Sequence, residues 1–447
     1  MESLSRKDAI WEAATFFFTC LVFVVPLVVV FFLTPQISLG VQEKPPAGCR
    51  KLGLATSSNL DDQYEQRYRQ SNTPDKGAGG SPIGKVKALF VYPIKSCYPV
   101  ELLQGEIVRT GIKYDRQFSF AQLISGQPEL DTGKTSHTWK IITARQFPRL
   151  TKVKTEAWVP DPKSSSYTKN NLWAKSDGCI VVTFPFTPDI TMSREGLANL
   201  WTVIKAKLAA GSLTAEPTVS FRLPFDPTAE RIERKKYTRE ELAVFKDSPQ
   251  ALNVGTEIEP NVLAQLKYFL GVSNPLTLFR IDKQSYREVH RCAPGKEEVG
   301  YQPVIGLSDG YPLHLLNLAS VRDVESHLPM EGPKSLNAIR FRANIYITGP
   351  PPFAEDSWKF VRIGSTKFQV SCRTARCVLP NVDPKTGVKD NNEPLSTLRS
   401  YRLVDEGAGA SPCLGMQMTP VSADGGEVRV GDEIEVLETG EHHYIKP

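Results

Sequence analysis

The stretch Val370–Gly387, VSCRTARCVLPNVDPKTG, joins a strand-like run ending in a thiol to a turn built from Asp, Pro and Gly. Its chemical centre is Cys377. A thiolate can hold a soft, high-valent metal by a single strong bond, and an adjacent cation such as Arg376 lowers a thiol pKa and meets an anionic ligand. The competing reading is that Cys377 is a small buried hydrophobe, a common fate of free cysteine. Cys372, with no histidine near it, lacks the paired spacing of a zinc site. Asp383, in the VDPKTG turn, reads first as an Asx-turn former and second as a catalytic acid.

Four basic residues, Lys95, Arg116, Arg342 and Arg376, stand at strand edges or turns rather than in runs of charge. Taken singly, each reads as a solvated surface charge. Together with Cys377 they fit a fold that gathers cations around a phosphorylated, anionic cofactor whose metal the thiolate completes. Ser96 and Asn344 are placed to donate neutral hydrogen bonds to such a ligand.

Short strands and turns must position these groups. Val86–Tyr92, Gly105–Val108, Arg116–Leu123 and Thr151–Val153 are apolar stretches separated by Gly, Pro and polar turns, the pattern of a small β-barrel or sandwich. The segments Trp158–Gly178 and Pro224–Lys236 are polar or charged and read as surface insertions. Helical spacing follows Pro260 over Asn261–Leu270, stopped by Gly271, and recurs from Leu318 to Leu328. Strands return at Asn344–Thr348, Phe360–Ile363 and Lys367–Ser371. Val428, Val430, Ile434 and Val436 alternate around Gly431-Asp432, a hairpin signal. The fold class expected is α+β, mainly β.

The 447 residues leave room for two or three domains, and 40% hydrophobic content is ordinary for a globular protein. A formal charge of +5 from interspersed residues argues against a nucleic-acid binder. The eight cysteines have no regular spacing, so reduced thiols are expected rather than a disulfide framework.

Near the N-terminus, Thr15–Leu33 is uncharged and almost wholly Phe, Leu and Val. At about 1.5 Å per residue it reaches roughly 29 Å, one hydrocarbon thickness, so a transmembrane anchor is favoured over a cleaved signal peptide. Lys44, Arg50 and Lys51 follow the span and tip the large C-terminal part toward the cytosol. The organisation expected is an anchor over residues 1–40, a flexible tether over 41–85, a β-barrel domain over 86–255 and a second domain over 256–447.

Six motifs in order carry a resemblance: YPIKSC at Tyr92–Cys97, DRQF at Asp115–Phe118, TARQFPRL at Thr143–Leu150, FRANIYITG at Phe341–Gly349, AEDSW at Ala354–Trp358, and RCVLPNVDPKTG at Arg376–Gly387. From about Val86 onward the chain resembles the MOSC-domain proteins, and within them the mitochondrial amidoxime-reducing component family. The resemblance implies a MOSC N-terminal β-barrel domain followed by a MOSC β-barrel domain, binding Mo-molybdopterin. It makes Cys377 the molybdenum ligand, with Lys95, Ser96, Arg116, Arg342, Asn344 and Arg376 lining the pterin and its phosphate. It implies reduction of small N-hydroxylated substrates such as amidoximes and hydroxylamines, with electrons from NADH through cytochrome b5 reductase and cytochrome b5. The anchor would sit in a lipid bilayer, the mitochondrial outer membrane or the endoplasmic reticulum, with the body in the cytosol.

Several positions depart from the family pattern. Thr374-Ala375-Arg376-Cys377 stands where Cys-Ser-Arg-Cys is frequent, Asp309-Gly310-Tyr311-Pro312 replaces a Thr-Ser version, and Gln417 falls where tyrosine is common. These residues are expected at the pterin or the substrate pocket, which Tyr311 would narrow. The alternatives are a sulfur-transfer role like that of molybdenum cofactor sulfurases, or a cofactor-binding module without activity.

Overall fold

The computed structural model of the protein describes residues 11, 15–22, 45–55, 57–69, 83–128, 135–330, 335–423 and 425–445. The chain divides into two compact units. One comprises Met1–Glu43 with Thr187–Pro217, the other Lys44–Phe186 with Thr218–Pro447. In the first unit, residues 15–22 are helical. A second helix spans Arg194–Ala210, with Ser193 accepting from the Gly196 N–H at its start and left-handed Gly211 at its end. No helix among the described residues is long and apolar enough to cross a membrane. Most of the expected span, from Phe23 to Leu33, lies outside the described residues.

The second unit holds two β-barrels with three smaller sheets beside them. The smaller closes from five strands, Phe118–Pro128, Thr135–Ile141, Thr238–Ala243, Gln250–Asn253 and Leu276–Ile281. In the larger, Ile345–Thr348, Leu313–Asn317, Cys413–Pro420, Thr366–Ala375, Trp358–Ile363, Glu433–Thr439 and Gly84–Val91 pair in that order. Gly84–Val91 then pairs back to Ile345–Thr348 and closes the ring. Its interior is filled by side chains such as Leu315, Ile345, Val361, Phe368, Met416 and Ile434, all buried. Each contributes about 1.5–3 kcal/mol by leaving water.

Strand exchange crosses the boundary expected between residues 255 and 256. Gly84–Val91 joins the C-terminal ring, and Leu276–Ile281 joins the five-strand barrel through Phe118–Pro128. The helix after Pro260 forms over Pro260–Leu270, and Gly271 caps it at φ 73°. The hairpin expected around Gly431-Asp432 does not form. Gly426–Arg429 pairs with Gln104–Val108, while Glu433–Thr439 pairs with Trp358–Ile363 and Gly84–Val91. Alternation gives each strand a face to bury without saying which neighbour supplies its hydrogen bonds.

Part of the expected tether is also packed. Cys49–Lys51 adds a strand to Lys154–Pro160, Leu60 is buried, and the buried Gln63 side chain accepts from the Ala338 N–H at 2.7 Å. A buried leucine, a buried amide and polar contacts of Ser58 and Asn59 with Glu101 and of Asp62 with Lys87 dock an otherwise polar segment, and composition averages over all of them. Residues 70–82 lie outside the described residues. The charged segment Pro224–Lys236 is likewise more than surface: Arg231 is buried and holds Glu257 in two hydrogen bonds, at 2.6 and 2.8 Å.

Candidate active site

Loops at the strand ends build one cavity of about 230 Å³. Lys95 and Ser96 come from the loop after Gly84–Val91, Arg116 from the turn before Phe118–Pro128, and Asp309, Gly310 and Tyr311 from the loop before Leu313–Asn317. Arg342 follows the short 3₁₀ turn Ala338–Phe341, and Asn344 precedes Ile345–Thr348. Arg376 and Cys377 follow Thr366–Ala375, and Gln417 lies on Cys413–Pro420. All eleven of these expected residues line the cavity. Asp383 does not. Its Oδ1 accepts from the Lys385 and Thr386 N–H groups, an Asx turn, and its Oδ2 accepts from Arg340 at 2.8 Å. The turn reading of Asp383 therefore fits, and the role as a catalytic acid does not.

Cys377 is half-buried on the cavity wall rather than sealed in an apolar interior. Six cations share that wall: Lys95, Arg116, Arg145, Arg340, Arg342 and Arg376. The only carboxylate lining it among the described residues is Asp309. Asp309 bonds the Lys95 ammonium, and its other oxygen accepts from Arg145 at 3.1 Å. Desolvation by the surrounding walls raises the pKa of Asp309, whose side chain is still half open to solvent, and the Lys95 and Arg145 charges reverse this to hold the carboxyl well below its usual range. Burial pulls Lys95 down to about 8, although Asp309 opposes the shift.

Backbone carbonyls hold Arg376 and Arg342, whereas Arg116 is also ion-paired with the buried Asp115 carboxylate and Arg340 with Asp383. Arg376 donates from Nε and Nη2 to the Leu414 carbonyl, from Nη1 to that of Phe341, and meets His314 Nε2 at 2.6 Å. Burial, with the Arg376 charge beside it, pushes His314 well below its ordinary value, so its ring is a neutral acceptor. Arg342 donates to the Cys97 carbonyl at 3.0 Å, and Arg116 donates to the Arg342 carbonyl at 3.1 Å. Both guanidinium groups lie over the Tyr92 ring, 4.2 Å and 4.7 Å from its centre. Asn344 is fully buried; its Oδ1 accepts from Arg116 and from the His314 N–H, and its Nδ2 donates to the Phe90 carbonyl. It thus holds Arg116 in place. Ser96 Oγ accepts from the Ala144 N–H at 3.1 Å, leaving its own proton available.

Three of these residues carry backbone strain. Ser96, Arg116 and Arg342 have φ of 68°, 45° and 54°, conformations that side chains with a Cβ rarely adopt. Such strain gathers where a site must aim its groups. Arg145 and Arg340 Nε and Thr374 Oγ1 are buried without a partner among the described residues, and all three residues line the cavity. Unpaired donors beside surplus positive charge suit a polyanionic ligand.

The reading of the sequence did not single out Arg145, Arg340 or His314. Arg145 is the most telling of these, since its guanidinium donates to Asp309 and interacts electrostatically with the Cys377 thiol on the same wall. Burial works against its charge, and both partners sustain it. Its signal was present in TARQFPRL, 232 positions from Cys377 (377 − 145). Nothing local ties the two.

Comparison with known families finds two matched regions. Residues 83–194 match the MOSC N-terminal beta barrel domain, and residues 302–435 match the MOSC domain. The chain belongs to the MOSC-domain proteins. It is similar to mitochondrial amidoxime-reducing component 1 of Mus musculus and of Homo sapiens, each 27% identical over 79% of this chain and 83% of the relative. It is also similar to the molybdenum cofactor sulfurase of Arabidopsis thaliana, 24% identical over 72% of this chain but only 32% of that protein. The cavity of this MOSC-domain protein lies where its two barrels meet, with Lys95, Ser96, Arg116 and Arg145 from the first matched region and the Asp309–Gln417 group from the second.

Proposed function

We propose that this MOSC-domain protein is a molybdenum-cofactor oxidoreductase that reduces N-hydroxylated compounds, amidoximes and hydroxylamines among them. The reading rests on one observation above all: a half-buried thiol, Cys377, shares a cavity wall with six cations and, among the described residues, a single carboxylate. The names of the mouse and human relatives support the substrate class. Electrons would come from NADH through cytochrome b5 reductase and cytochrome b5.

In this reading Cys377 supplies the protein ligand to molybdenum, and Arg145 steadies the sulfur. Arg342 and Lys95 would face the pterin phosphate, Arg116, already paired with Asp115, would stand behind them, and Ser96 would donate a neutral hydrogen bond. Arg376 positions the loop through Leu414 and Phe341 rather than binding as a free cation, because its donors are already engaged. The cofactor supplies the two-electron redox chemistry, and the protein orients it and sets its electrostatic surroundings. Gly310, Tyr311 and Gln417 border the space left for substrate, with Tyr311 narrowing it.

Purified full-length protein should carry stoichiometric molybdenum and oxidise NADH in an amidoxime-dependent way when cytochrome b5 and its reductase are added. Cys377→Ser should lose metal and turnover while its thermal unfolding stays near that of the wild type. Full metal retention and turnover in Cys377→Ala would overturn the assignment. Cofactor-replete protein without turnover would favour a binding module. We further propose that Thr15–Leu33 anchors the chain in a membrane, the mitochondrial outer membrane by analogy with the relatives' names, with the body in the cytosol. Extraction of the full chain by alkaline carbonate would contradict that anchor.

A further inference from the structure

A second group of reactive side chains lies behind the cavity wall. The strand Thr366–Ala375 slips register between Val370 and Cys372. Before the slip, Phe368 and Val370 face the barrel core; beyond it, Cys372 joins a separate cluster with Val289, Ile305 and Tyr311. A bulge of this kind re-aims a side chain. Cys292, Ala293 and Tyr444 pack against that cluster from outside. Cys372 is fully buried, Cys292 is half-buried and packs against its cluster, and Cys292 Sγ donates to the His443 carbonyl at 3.5 Å.

The two sulfurs are electrostatically unequal. Hydrogen bonding from Cys372, with Tyr311 as a second donor, pulls Cys292 down to about 6 against the pull of burial. Burial drives Cys372 well above its ordinary value, and the Cys292 charge adds to the shift. The accessible sulfur is therefore the readier of the two to give up its proton, which the His443 carbonyl accepts in a hydrogen bond, and the one beneath it keeps its own. That is the division of labour a reversible dithiol needs: an exposed nucleophile and a sheltered partner that closes the bond.

We propose that Cys292 and Cys372 form a peroxide-reactive thiol pair that closes into a disulfide. The Cys292 thiolate attacks one oxygen of hydrogen peroxide; an S–O bond forms, the O–O bond breaks, and hydroxide leaves to take up a proton as water. The Cys372 sulfur then attacks the resulting sulfenic acid; an S–S bond forms, the S–O bond breaks, and the second water departs with the Cys372 proton. Two thiols lose two electrons and one peroxide gains them, and an external dithiol reverses the change. The pair stands apart from Cys377, and the proposal does not depend on the molybdenum reading. It still reaches the cavity, because Tyr311 belongs to both the cluster and the cavity wall.

The test uses full-length protein treated with hydrogen peroxide, blocked with iodoacetamide and digested with trypsin without reduction. Cleavage after Arg291, Lys296, Lys367 and Arg373 isolates CAPGK (292–296) and FQVSCR (368–373). The expected product is these two peptides joined, and dithiothreitol should separate them. Cys292→Ser should abolish the link, and Cys372→Ala should leave Cys292 oxidised to sulfinic acid. In untreated wild type, iodoacetamide should label Cys292 about fivefold faster than Cys49 at pH 7, thiolate fraction outweighing reduced nucleophilicity. Cys49 is the control because it is also half-buried but burial raises its thiol. Peptides that stay unlinked, or a Cys372 disulfide with any other cysteine, would overturn the proposal. So would equal labelling of Cys292 and Cys49.

Discussion

Two of the regions where this protein encloses arginine do so in opposite ways. Beside the five-strand barrel, Arg231 is held by Glu257 through two hydrogen bonds, and Tyr237 donates to the same carboxylate. In the cavity, the partners of Arg342 and Arg376 among the described residues are carbonyl oxygens, a neutral imidazole and aromatic faces. Burial works against all three charges. Glu257 more than restores Arg231, which ends above its ordinary value, whereas Arg342 stays below it and Arg376 falls to about 10. A buried cation with its own carboxylate is complete, while one propped by carbonyls keeps its field for something else.

Four experiments sharpen that contrast or break it. The largest effect should come from Glu257→Ala. It strands Arg231 in the interior and should lower stability by about 3–5 kcal/mol in urea unfolding, with molybdenum content per folded chain unchanged. Metal loss in the folded fraction would mean the two regions are coupled.

Arg145→Ala should reverse the pattern, with metal affinity about 10–100-fold weaker in a competition with chelator. Its unfolding midpoint should move little, because its carboxylate partner Asp309 is 53% exposed.

The third experiment is a pH series on Lys95. Its folded pKa of about 8 lies below the reference value of 10.5, so between these limits the unfolded chain holds more protons at this site. The Lys95 contribution therefore makes the cofactor-free protein more stable as pH rises through the window, while anion binding weakens. Lys95→Met should flatten both trends in paired urea and binding titrations.

The smallest effect should be that of Asp383→Asn. The Asx turn survives, and the lost charge partner of Arg340 is part-exposed, so stability should change by about 1 kcal/mol or less. Turnover should stay near wild type. A large drop in kcat would return Asp383 to the chemistry.

Legibility followed range. The helix Pro260–Leu270 was readable because Pro, apolar spacing and Gly271 all lie within one short window. The strands around Gly431 were readable as strands, yet their pairing was not, since each hydrogen-bonds elsewhere. Eleven cavity residues were found because they carry the family motifs or depart from them. Arg145 stood inside a quoted motif and was passed over, because nothing in TARQFPRL says which of its two arginines turns inward. In the structure, Arg149 instead donates to the Phe269 carbonyl and is not on the cavity wall.

By itself the sequence determined the inventory: a thiol at 377, cations at turns, apolar periodicity and two barrels' worth of short strands. Folding decided the charge balance. Whether an arginine meets a carboxylate or a carbonyl depends on segments far apart in the chain, as when Lys95 reaches the Leu307 carbonyl and Asp309. The same holds for the bulge that turns Cys372 out of the core toward Cys292. Local pattern fixes which faces are apolar; only closure of the barrels brings the polar ends of distant strands to one place.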